Sequence, residues 1–177
     1  IANAIWASTY CTFLREEKTG DVYGFGLNNY HQITTKKSKN EFEHFPLLTK
    51  LKNVKDIAGG SHHTVIMTND KKIYSIGRKD YGRLGLGSLK DDVTELTEIV
   101  ELRDKGIVSI SCGAENSFGL TQEGKVFVWG NGNSSTLGTG DEEDVPIPKV
   151  LVTAQTKDKT ILAVSGGGQH SLFLVED

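Results

Sequence analysis

The sequence predicts an all-β chain built as a tandem of propeller blades. Three observations predict it. Two separate sequence blocks recur with one period of 51–54 residues, glycine is unusually frequent at 20 of 177 residues, and short β-branched runs alternate with hairpin signals. The first block reads IWASTYCTFL from Ile5, IAGGSHHTVI from Ile57, ISCGAENSFG from Ile110 and VSGGGQHSLF from Val164, with starts 52, 53 and 54 residues apart. The second reads DVYGFGLNNYHQIT from Asp21, KIYSIGRKDYGRLG from Lys72 and KVFVWGNGNSSTLG from Lys125, with starts 51 and 53 apart. Two blocks holding one period through three copies are repetition, and a period near 50 with short strands is a blade.

Each unit reads as four strands. The first is short and Gly-rich, as in Ile57 to Gly60, and the second is β-branched, His63 to Thr68. Hairpin tips at Thr19-Gly20, Asn69-Asp70 and Glu123-Gly124 lead into a third strand, Lys72 to Ile76 or Val126 to Trp129. The fourth strand is expected at Leu47 to Thr49, Thr97 to Val100 and Lys149 to Val152, with Pro46, Pro146 and Pro148 just before two of them. Thr94 to Leu102 has some helical periodicity but reads as a strand by its place in the repeat. The repeats run over about 5–56, 57–109 and 110–163, with the first half of another over 164–177, all within one partial propeller of residues 1–177. Closure needs about four blades or more. The chain opens in mid-pattern without Met, so a preceding segment or a second chain is expected to complete the ring.

Composition narrows the function classes. Net charge is −3, so no bulk attraction to nucleic acid is expected from this segment. No run approaches the ~20 apolar residues of a membrane span. The clusters Lys36, Lys37, Lys39 and Lys50, Lys52, Lys55 read as solvated loops, as does the acidic run Asp141 to Asp144. Cys11 and Cys112 have neither zinc nor redox spacing and are read as unpaired. His62 and His63 are adjacent on an extended segment, so their side chains diverge and a shared metal is not expected. GLTQEGK, Gly119 to Lys125, imitates a phosphate loop but lacks the following Ser or Thr and spans a hairpin. No nucleophile elbow or catalytic carboxylate pair stands out, and no cofactor is expected. Thr12, Thr64, Ser117 and Ser171 recur in register and read as turn-bonding hydroxyls.

Connectivity assigns the loops to faces. In an antiparallel meander the loops between strands one and two share a side with those between strands three and four. That side collects Ser61-His62, Ala114 to Asn116 and Gly168 to His170, together with Leu27 to Gln32, Arg78 to Arg83 and Asn131 to Thr136. Function on repeat scaffolds concentrates on such loops.

GGSHHT, YSIGRKDYGRLGLG, VFVWGNGNSSTLGTG, SGGGQHS and YGFGLNNYHQ resemble the regulator of chromosome condensation family over essentially the whole chain. WD and kelch repeats are set aside: neither Trp6 nor Trp129 precedes Asp, and the Gly pairs lead into His or Gln-His. The plant ultraviolet-B photoreceptors are excluded because their Trp clusters are missing. The resemblance implies a seven-bladed propeller of which about three and a half blades are present, seven such units needing on the order of 360 residues. It implies a nuclear, chromatin-associated guanine-nucleotide exchange factor for the GTPase Ran. Histone and DNA contacts would lie mainly outside this chain, and the fragment alone would be inactive. His62 matches a His used in exchange and is the first candidate. His170 is assigned the equivalent place in the final repeat. His31 and Asn29 match a GTPase-contacting segment, and Arg78 and Asp144 come from adjoining loops. The alternative is a non-catalytic protein-binding scaffold, as the same repeat also serves in ligases and adaptors. The first repeat departs from the pattern at Trp6 to Thr9 and Gln32 to Thr34, and the third at Ser134 to Thr136.

Overall fold

The computed structural model describes residues 1–33 and 41–176. The cluster Lys36, Lys37, Lys39 lies outside the described residues. Three four-stranded antiparallel meanders and one two-stranded sheet follow one another. Blade 1 is β1 (Ala2–Ala7), β2 (Cys11–Glu16), β3 (Val22–Leu27) and β4 (Phe42–Leu48). Blade 2 is β5 (Val54–Gly59), β6 (His63–Thr68), β7 (Ile73–Gly77) and β8 (Val93–Glu98). Blade 3 is β9 (Ile107–Cys112), β10 (Asn116–Thr121), β11 (Val126–Gly130) and β12 (Val145–Val150). Two strands, β13 (Ile161–Gly166) and β14 (Ser171–Val175), form the half-blade. The all-β propeller architecture is therefore present, in about three and a half blades.

Burial explains why the middle strands are not alternating. Every residue of β6 and of β10 is buried, because their blades are sandwiched on both faces. β1 and β14 alternate instead, each having one uncovered face. That leaves Ile5 66%, Leu172 65% and Leu174 61% exposed on the two outer faces. One apolar cluster, with Phe13, Val22, Ile33 and Ile66, fills the seam between blades 1 and 2. A larger one, with Val65, Phe118, Val128 and Trp129, continues through the later seams.

The fourth strands begin earlier than the sequence suggests. Pro46 lies inside β4, and Pro146 and Pro148 lie inside β12. These are outermost strands, so a missing N–H on the open edge costs no ladder bond. Thr94 to Leu102 divides into β8 and a 3-10 turn at Val100–Leu102 that buries Leu102.

The glycine ending each third strand has a steric cause. Gly26, Gly77 and Gly130 have φ of 112°, 124° and 109°. A Cβ there would strike the carbonyl oxygen of Tyr10, His62 or Glu115 respectively. Only glycine permits both the backbone angle and the approach. It brings the start of each strand three–four loop against the residue just before strand two.

The hydroxyls that recur in register join neighbouring blades. Thr64 donates to the Gln32 carbonyl at 2.8 Å, Ser117 to that of Arg83 at 3.3 Å and Ser171 to that of Thr136 at 2.8 Å. Ser117 Oγ also lies 2.8 Å from His63 Nε2. Ser117→Ala should cost about 1–3 kcal/mol by orphaning two buried partners of the preceding blade, read as a fall in the urea midpoint.

Candidate functional site

The expected face exists. Leu27, Arg78 and Asn131 donate their backbone N–H to the carbonyls of Tyr10, His62 and Glu115, at 3.0, 2.9 and 3.0 Å. Consecutive strand one–two loops are also joined around the axis, Ser61 to Ala114 at 2.9 Å and Ala114 to Gly167 at 3.1 Å. Both loop classes thus form one continuous rim.

The first repeat keeps this loop without its glycines. Ser8 N–H donates to the Cys11 carbonyl at 2.9 Å, as Gly60 does to His63 at 3.0 Å. At Gly60 a Cβ would collide with the His63 ring and the Gly113 carbonyl, whereas small Cys11 stands where His63 does and leaves room for serine. Both cysteines are free. Burial pushes the Cys11 thiol up to about 11, and that thiol donates to the Leu27 carbonyl at 3.0 Å, so it is not a reactive group.

His62 lies half-buried at the centre of an aromatic and cationic cluster. Its ring centroid is 5.8 Å from that of Tyr10 and 5.1 Å from that of Tyr30, the latter edge-on. The Arg78 guanidinium sits 5.3 Å over the Tyr30 ring and is paired with Asp80 at 2.5 Å. Burial, then the charges of Arg83 and Arg78, hold the His62 pKa below its ordinary value, so the rim presents a neutral imidazole. Its Nδ1 is buried with no hydrogen-bond partner among the described residues.

The remaining candidates are placed differently. His31 and Asn29 lie in the loop beside His62, but Tyr30 between them makes the ring contact. Asn29 Oδ1 instead accepts from Gln32 at 3.2 Å, and His31 occupies a left-handed turn with φ 61°. The strand pairing corrects the position of His170. Gly59 pairs with Thr64 and Gly166 with Ser171, so His170 is in register with His63 and Gln169 with His62. A Cβ on Gly167 would strike the His170 ring, as one on Gly60 would strike His63. Asp144 accepts from the Gly132 N–H at 3.0 Å, as Asp92 accepts from Lys79 at 3.0 Å in the preceding blade. Its carboxylate therefore pins its own loop.

Two features of the rim escape residue-by-residue reading. Tyr10 could have been found, since it is in register with His62. Arg83 could not: it is 0% exposed and reaches across the blade 2–3 seam to Glu115 at 3.1 Å. Asn131 donates to the other oxygen of Glu115 at 2.7 Å. Among the described residues there is no group of three or more His, Cys, Asp or Glu side chains able to hold a metal, and no helix is long and apolar enough to cross a membrane.

Comparison with known proteins fits this geometry. The regulator of chromosome condensation (RCC1) repeat model matches residues 19–67, 70–120 and 123–174. The chain is 47% identical to the Drosophila melanogaster regulator of chromosome condensation over 98% of its length and 31% of the relative's. Against the human regulator of chromosome condensation the figures are 41%, 97% and 41%. The human E3 ubiquitin-protein ligase HERC2 is 36% identical over 96% of the chain but 4% of that protein. Among solved structures, Prp20p of Saccharomyces cerevisiae, described together with its binding properties to Gsp1p and histones, superposes with a TM-score of 0.86 at 25% identity, covering 97% of this chain and 43% of that one. The chain thus spans well under half the length of these regulator relatives.

Proposed function

From the premise that this chain belongs to the regulator of chromosome condensation repeat family, we propose that it forms part of the working face of a guanine-nucleotide exchange factor for the GTPase Ran, acting in the nucleus on chromatin. The observation that carries this reading is the cluster of His62, Tyr10, Tyr30 and Arg78 on one rim. Prp20p's binding properties to Gsp1p and histones support it at the family level. Exchange requires no bond to be made or broken. A surface that binds the nucleotide-free GTPase more tightly than the loaded form weakens nucleotide affinity by the same factor. Packed aromatic rings around a neutral imidazole suit that task, because rigid side chains lose little entropy on binding. His170, His31, Asn29, Arg78 and Asp144 are proposed as further GTPase contacts from adjoining loops. The uncovered apolar faces of blade 1 and the half-blade are proposed to receive the remaining blades. The parts touching histone and DNA are placed mainly outside this chain.

The test is release of fluorescent GDP from Ran by the full-length protein that carries this chain. His62→Ala should remove a contact worth about 2 kcal/mol, slowing release about 30-fold with the thermal midpoint unchanged. The HERC2 match favours a second reading, a scaffold that only binds proteins. Absence of any acceleration by the wild-type protein at micromolar concentration would decide for the scaffold.

A further inference from the structure

The three seams of the rim are built alike but filled differently. The carbonyls that accept the cross-blade hydroxyls place Gln32, Arg83 and Thr136 at one equivalent position. On the next blade the residues two before those hydroxyls, His62, Glu115 and Gln169, are likewise equivalent by register. At the blade 2–3 seam the Arg83 guanidinium fills the gap and pairs with Glu115. At the following seam Thr136 is too short to do so, its hydroxyl turning back to the Asn131 carbonyl at 2.9 Å. What remains is a cavity of about 220 Å³ lined by Glu115, Asn116, Asn131, Asn133, Thr136 and Gln169, among others.

We propose that this cavity receives an arginine side chain of the bound protein partner, the guanidinium taking the place at this seam that Arg83 takes at the one before. Its volume lies below the roughly 300–1,000 Å³ of small-molecule sites, which suits one side chain. Its polar character selects a cation. No Lys, Arg or His lines it among the described residues. Glu115 uses two of its carboxylate's roughly four acceptor sites, on Arg83 and Asn131, and keeps the others. An anion would meet the Glu115 carboxylate, and a neutral amide would gain nothing from its charge. The run Asp141 to Asp144 belongs to the same loop, tied to it through the Asp144–Gly132 bond, and adds negative potential at the mouth. A planar guanidinium, with five donors in a fixed fork, matches a wall of side-chain oxygens better than an ammonium does.

The partner assignment rests on the exchange-factor reading, so the test has two arms. In the first, N-acetyl-L-arginine methylamide is titrated into the full-length protein with its asparagine side chains labelled for NMR. The Asn131 and Asn133 amide signals should shift saturably in the millimolar range, and N-acetyl-L-glutamate should leave them in place. Thr136→Arg, which puts an arginine at the position equivalent to Arg83, should abolish the shifts. Equal response to the glutamate derivative, or shifts that persist in Thr136→Arg, overturns the site. In the second arm, Thr136→Arg should raise the Ran concentration giving half-maximal GDP release at least 10-fold. A wild-type protein active on Ran with an unchanged Thr136→Arg variant overturns the partner assignment. A wild-type protein inactive on Ran overturns the exchange reading instead, and the amide titration still decides the cavity. If Thr136→Arg fails to fold, Asn133→Arg at the exposed mouth carries the same two expectations, the first read at the Asn131 amide.

Discussion

Trp129→Ala should cost about 3–5 kcal/mol, the largest loss expected from a single side chain in this chain. Trp129 is 0% exposed on β11 and belongs to the apolar cluster shared by blades 2 and 3. Its five-membered ring abuts Gly85 of the preceding blade's loop, where a Cβ would lie 3.0 Å from the ring. Gly85 also has φ +68°, so that loop closes over the indole only as glycine. Removing the ring leaves a cavity at a seam between two rigid sheets, which cannot collapse to fill it. Trp129→Phe should be far milder. The indole Nε1 is buried with no partner among the described residues, so the phenyl ring loses volume but also removes an unsatisfied donor. Urea unfolding of the two variants beside the wild type measures both, and equal losses would contradict this account of the seam.

The second large effect is acid sensitivity set by His63. Burial first, then the charges of Arg83 and His62, lower its pKa from 6.5 to about 3. Above pH 6.5 both folded and unfolded states hold it neutral, and the folded state has its full stability. Below pH 6.5 the unfolded chain takes up a proton that the folded chain refuses. Stability therefore falls with pH down to about 3 and then levels off. The whole fall is on the order of 5 kcal/mol, from about 1.4 kcal/mol per pKa unit. His63→Asn imitates Asn116, which occupies the same register position in blade 3, and should flatten this limb of the stability profile. Its unfolding free energy at pH 7 should fall by about 1–2 kcal/mol for the lost bond to Ser117. An acid limb as steep in His63→Asn as in the wild type would assign the effect to other groups.

Much of the rim was legible because repetition is a one-dimensional signal. The 51–54 residue period identified the blades, and the connectivity of the meander then put His62, His31, Arg78, Asn131 and Gln169 on one face. The strand pairing shows the same loops joined there. The finer placements depended on counting from the correct anchor. His170 follows a three-glycine run, and the Gly166–Ser171 pair sets it one residue beyond Gln169, the counterpart of His62. One residue is decisive in a strand, because it moves a side chain to the opposite face.

The sequence by itself determined the blade, its period, the glycines and the side on which polar loops gather. These follow from backbone constraints local to each unit, and each leaves its mark on every copy. Tertiary structure alone decided what happens at the seams: that Tyr30 rather than Asn29 or His31 meets His62, that Arg83 is buried against Glu115, and that Thr136 leaves a cavity where an arginine would fit. The physical reason is that these contacts join residues about 30 positions apart on different sheets. Their partners are set by how two rigid blades pack, which no local pattern encodes.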